Sequence, residues 1–174
     1  FSKFRSTTFS VLSMFFLTRN WKISSYGGII AAISYAFSMI MVCHVIHPMM
    51  IYHLAWFPLI LMFFLKGMQT RNIKCSIWAG LLFGMTMLSG HPQTTLYEAF
   101  FLGMAFLWYL IADIKSKKEN LKIPVLIIAG IAPFIIASGI FAIQLLPSQE
   151  LAGLSQRDEI TYEKSSEGSL QFKQ

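Results

Sequence analysis

At 174 residues, with 55% hydrophobic, 15% aromatic and only 13% charged side chains, the chain is too apolar for an ordinary soluble domain. Its formal net charge of +6 comes mainly from short loops between apolar runs, a pattern of membrane topology that needs no nucleic-acid partner. Cys43 and Cys75 lack CxxC spacing and fall at opposite ends of neighbouring spans, which argues against a disulfide.

Phe9–Leu17 is apolar but short and follows Lys3 and Arg5, so it reads as the end of an earlier helix, closed by Arg19-Asn20-Trp21-Lys22. Tyr26–Cys43 is the first complete span, and its small residues Gly27, Gly28, Ala31, Ala32, Ser34, Ala36 and Ser38 permit close helix approach. His44-Val45-Ile46-His47-Pro48 interrupts it. Met49–Leu65, carrying His53, Trp56 and Pro58, is the next span, and Lys66–Lys74 is a basic turn. Ser76–Leu88 is a shorter helix whose Gly80 and Gly84 form a GxxxG packing face. Thr94–Ala112 follows, then the basic loop Asp113–Lys122. Pro124–Leu146 is the last span, with Pro147 expected to break it. The expected fold is all-α: a polytopic transmembrane helix bundle of about five spans plus the end of an earlier helix. It occupies residues 1–147, and residues 148–174 form a polar extracytoplasmic segment leading to a further C-terminal part.

Loop charges alternate strictly. Arg19/Lys22, Lys66/Arg71/Lys74 and Lys115/Lys117/Lys118/Lys122 are basic, whereas His44–Pro48 and Gly90–Gln93 hold no Lys or Arg. The positive-inside rule then places the basic loops in the cytoplasm and the histidine-containing loops outside. His44, His47, His53 and His91 thus gather at or near the outer end. Gln93 and Glu98 join them there, with Gln144, Glu150 and Arg157 at the outer end of the last span.

The central stretch is Ser89–Glu98, a polar island between the apolar runs Ile77–Leu88 and Ala99–Ala112. Gly90-His91-Pro92 is a turn-and-restart signal, since Gly permits the turn and Pro suits the first turn of a helix. Glu98 falls about one turn later, inside an apolar span. An ionisable group at the bilayer centre costs about 2.5–3.5 kcal/mol or more, so it faces either a protein interior or, if shallow enough, the interface. Convergence of the outer polar groups predicts that Glu98 lies within hydrogen-bonding or one-water reach of His91, His44, His47, Gln144 or Arg157.

Motifs for other chemistries are missing. His44 and His47 are three apart, but Pro48 follows and HExxH is absent, so no metal site is assigned; a divalent metal is compatible with the histidines without being called for. No cofactor is evident. Ser89 near His91 lacks GxSxG or a third member.

Taken in order, "YAFS" (Tyr35–Ser38), "HVIHP" (His44–Pro48), "AWFPL" (Ala55–Leu59), "SGHPQTTLY" (Ser89–Tyr97) and "AIQLLPSQEL…SQR" (Ala142–Arg157) resemble the YfhO-like family of bacterial membrane proteins. That family is similar to the GT-C glycosyltransferases, which act at the outer face of the membrane on sugars carried by polyprenyl phosphate. The resemblance implies a multi-pass protein of the bacterial inner (cytoplasmic) membrane. Its partners would be the lipid bilayer, a polyprenyl-phosphate sugar donor and a cell-envelope glycan or protein acceptor. It marks His91, Gln93, Gln144, Glu150 and Arg157 as motif positions. GT-C enzymes carry their catalytic acid in the first outer loop, and no acidic residue precedes Glu98 here. The base is therefore expected upstream of Phe1, and the chain reads as an internal piece of a larger enzyme. Arg157 suits a phosphate contact, because guanidinium binds phosphate bidentately, and Glu98 suits orienting His91 or a sugar hydroxyl. A non-catalytic membrane subunit and a lipid or solute transporter remain the alternative readings.

Overall fold

The computed structural model describes residues 2–115 and 123–153. Among these, every regular element is a helix: α1 (Ser2–Asn20), α2 (Ser25–Ala36), α3 (Met39–Cys43), a 3₁₀ turn at His44–Ile46, α4 (Pro48–Thr70), α5 (Ile73–Met87), α6 (Pro92–Lys115) and α7 (Ile123–Gly153). Four stretches are long and apolar enough to cross a bilayer: Ser25–Cys43, Pro48–Thr70, Pro92–Lys115 and Ile123–Leu151. The protein is an all-α, multi-pass membrane protein. The fifth expected span is α5, which has 15 residues and a length of roughly 22 Å, short of the ~30 Å hydrocarbon layer.

Local chemistry explains the helix ends. Ser24 caps α2 by accepting from the Gly27 N–H at 3.2 Å. Arg71 ends α4 in the left-handed region, at φ 54°, and Asn72 immediately caps α5 by accepting from the Lys74 N–H at 3.0 Å. Gly90, at φ 81°, makes the turn before α6. Both α4 and α6 open on Pro directly after His, at Pro48 and Pro92.

Helix continuity differs from the sequence expectation at two points. The span predicted as Tyr26–Cys43 is present, but its helix is interrupted: the Ser38 N–H turns onto the Tyr35 carbonyl, and Ser38, with extended ψ, starts a separate short helix. Conversely, α7 runs on through Pro147 to Gly153. Proline removes one donor there without ending the helix, as spanning helices tolerate.

The chain divides into two compact units, Phe1–Phe141 and Ala142–Gln174. In the first, α4 is the central element. It contributes Ile60, Leu61, Phe64, Leu65 and Met68 to a core that also takes Leu17 from α1, Ala79 and Phe83 from α5, Leu102 from α6, and Leu126 and Ala137 from α7. Phe134 stacks edge-on against both Phe64 and Phe83. Gly28, Ala32 and Ala36 form the buried stripe of α2, and a Cβ at Gly28 would stand 3.0 Å from Thr18 Oγ1 on α1. Gly80 and Gly84 let α5 come close to α7. A Cβ at Gly80 would lie 2.8 Å from the Pro133 Cα, and one at Gly84 would lie 2.7 Å from Ile140. Away from this core, α6 exposes Phe100, Met104 and Trp108, and α2 exposes Ile29, Ile30 and Ile33, as a lipid-facing surface requires.

The arrangement of α4 and α6 positions the site. They are separated in sequence by α5, which returns the chain, so they run parallel. Four contacts follow their length: His53–Glu98, Phe57–Phe101, Gln69–Tyr109 and Arg71–Asp113.

Candidate functional site

The face that α6 turns inward consists of Thr94, Glu98 and Leu102, spaced four apart on one side of the helix. Its first two turns therefore bury two polar side chains, Thr94 and Glu98. Glu98 is the seventh residue of α6 and His53 the sixth of α4, so each sits roughly 8–9 Å from the start of its helix. Parallel helices bring these equal depths together. His53 Nδ1 lies 3.0 Å from Glu98 Oε2, with His53 fully buried and Glu98 only 7% exposed. Glu98 is thus held inside the protein and does not snorkel to an interface.

Around this pair, hydroxyl groups satisfy a gap in α4. Pro58 has no N–H, so the Leu54 carbonyl lacks its helical donor. Tyr35 of α2 supplies the replacement, its Oη donating to Leu54 O at 2.6 Å. Ser13 of α1 donates to the next carbonyl, Ala55 O, at 2.8 Å. One turn above Glu98, the Thr94 hydroxyl lies 2.9 Å from His91 Nδ1 and 3.0 Å from the His91 carbonyl, and the Thr94 N–H donates to Nδ1 at 3.3 Å. His91 thereby acts as the side-chain cap of α6.

The sequence-predicted residues separate accordingly. His53 and Glu98 form the centre, and His91 adjoins it through Thr94. The hydrogen-bond partner of Glu98 is His53, which is not among the five expected for it, His91, His44, His47, Gln144 and Arg157. His53 lies within a span and faces inward, whereas His44 bonds back to its own turn at Ile40 O (2.9 Å) and stacks loosely with His47 at 6.0 Å. Gln93 is exposed and donates to Tyr97 Oη at 2.9 Å, away from the pair. Gln144 and Glu150 belong to the second unit, where Glu150 is exposed and Ser148 donates to the Gln144 carbonyl at 2.7 Å. Arg157 lies outside the described residues. Among the described residues no three His, Cys, Asp or Glu side chains gather as a metal would require, and both cysteines are free thiols. Tyr35, Ser13 and Thr94 are the members that sequence reasoning missed. Pro58 was the available signal, since a proline inside a span leaves a carbonyl that some nearby hydroxyl has to serve.

Chemically, the centre is a carboxylate and an imidazole sharing a hydrogen bond in a water-poor interior, a pairing that can hold a proton or orient a hydroxyl. No protein-family model, curated protein or solved structure matches this chain.

Proposed function

We propose that the chain is the membrane-embedded part of a YfhO-like, GT-C-like transferase. It would act on a polyprenyl-phosphate-linked sugar at the outer face of a bacterial inner membrane, with its basic loops in the cytoplasm. The buried His53–Glu98 pair carries this reading. It lies at the non-basic end of the bundle, with Glu98 on the helix that opens in Ser89–Tyr97, one of the five stretches that together carry the family resemblance. Spanning a bilayer needs no such pair, and an intramembrane ionisable group ordinarily marks a pathway or a binding site. In this reading His53 and Glu98 orient a sugar hydroxyl at the reacting end of the donor.

The test is transfer of labelled hexose from polyprenyl phosphate by the full-length protein in proteoliposomes. Glu98→Gln is expected to lower the rate roughly tenfold or more, about 1.4 kcal/mol of lost transition-state stabilisation. An unchanged rate in that variant, or no transfer by the folded wild type, would sink the proposal. The same pair also suits a proton-coupled transporter, and proton uptake coupled to solute flux in the same liposomes would favour that reading.

A further inference from the structure

His53 has a second ring nitrogen. Nε2 is fully buried and has no hydrogen-bond partner. A buried nitrogen left without a hydrogen bond is unfavourable, and no side chain among the described residues relieves it. Each hydroxyl has a single proton to donate. Tyr35 directs its proton to Leu54 O, Ser13 to the carbonyls of Ala55 and Ser10, and Ser10 to Thr7 O. Glu98 is engaged with the other ring nitrogen. The ring is held by the Glu98 carboxyl, and the backbone just after it is bonded by Tyr35 at Leu54 O and by Ser13 at Ala55 O.

We infer that His53 Nε2 is the binding point for one hydroxyl group brought by a molecule other than this chain. A hydroxyl fits whichever way the pair shares its proton. It donates to Nε2 when that nitrogen holds a lone pair and accepts when the nitrogen carries the hydrogen. Two molecules offer this chemistry inside a membrane protein: a trapped water and the sugar hydroxyl of a glycosyl lipid. The second source rests on the function proposed above, whereas the site does not.

Solid-state NMR of the full-length protein in lipid bilayers, with ¹⁵N-labelled histidine, distinguishes these sources. His53→Gln identifies the His53 signals by their loss. Spectra are taken with no addition, with a polyprenyl-phosphate hexose, and with polyprenyl phosphate alone. The expected result is a contact between Nε2 and an exchangeable hydroxyl proton or oxygen in the first sample, and a shifted Nε2 signal with the hexose lipid but not with the phosphate. Persistence of a water contact unchanged in all three samples supports the hydroxyl site with water as its occupant, and removes support from the transferase reading. An Nε2 without any hydroxyl neighbour in all three samples, or bonded to a protein group, overturns the inference.

Discussion

The two ends of the α4–α6 pair are held by the same kinds of groups in opposite surroundings. At the non-basic end, His53 and Glu98 meet out of reach of solvent. At the basic end, Arg71 pairs with Asp113 and Gln69 donates to Tyr109 Oη at 2.7 Å. The Arg71 and Asp113 side chains keep 22% and 19% of their surface. Partial exposure lets water screen the second pair and replace either partner when it is lost. Neither happens at the first. A hydrogen-bonded pair of titratable side chains is therefore a strong constraint at one end of these helices and a weak one at the other, although the bonds look alike.

The largest expected effect breaks the buried end. Removing the carboxylate alone, as in Glu98→Leu, leaves the imidazole buried without its partner and should destabilise the protein by about 3–5 kcal/mol. The double replacement His53→Leu/Glu98→Leu should recover most of that loss. Detergent or denaturant unfolding of the three proteins checks this, and a double variant no better than the single would mean that the pair is not the constraint.

A purely apolar seam calibrates the scale. Gly80→Leu drives a side chain into the Pro133 backbone and should cost about 1–3 kcal/mol by overpacking, with no dependence on salt, in the same unfolding assay.

Tyr35→Phe sharpens the reading of the buried end. It strips the Leu54 carbonyl of its donor and should cost roughly 1 kcal/mol. Adding Pro58→Ala restores a backbone N–H at the right place, so the tyrosine should matter less in that background. Equal losses in both backgrounds would disconnect the hydroxyl from the proline.

The smallest effect belongs to the basic end. Asp113→Ala should change stability by only about 0–1 kcal/mol, and less as salt is raised. A loss matching that of Glu98→Leu would erase the contrast between the ends.

Much of this architecture is legible in the sequence. Apolar runs of sufficient length give the spans, and the alternating Lys/Arg content of the loops gives the grouping of their ends. The misplaced boundaries have local causes. Phe37-Ser38 interrupts the helix within a span without Gly or Pro to announce it, and Pro147 fails to break a helix because losing a single donor leaves the rest of it bonded. The inward face of α6 can be read from Glu98, since a carboxylate avoids lipid. Which neighbour it meets cannot be read, because Glu98 answers to α4, two helices back, at a depth fixed by where Pro48 and Pro92 start their helices. His44, His47 and His91 were nearer in the expected topology, but each lies at a turn, where His44 bonds to the Ile40 carbonyl and His91 to Thr94.

The parallel pairing of α4 and α6 has a consequence for how the protein is made. His53 and Glu98 are 45 residues apart, and ribosomes add about 5–20 residues per second. For roughly 2–9 s, then, α4 exists with its histidine and without the carboxylate. Tyr35 and Ser13 precede it in the chain and are already present to serve the carbonyls beside Pro58. Glu98 is not. The central helix of the bundle must enter the membrane carrying an unpaired imidazole, and its histidine gains a partner only when α6, the second helix after it, arrives. Any factor that delays that arrival prolongs the interval in which quality-control proteases meet a half-built bundle.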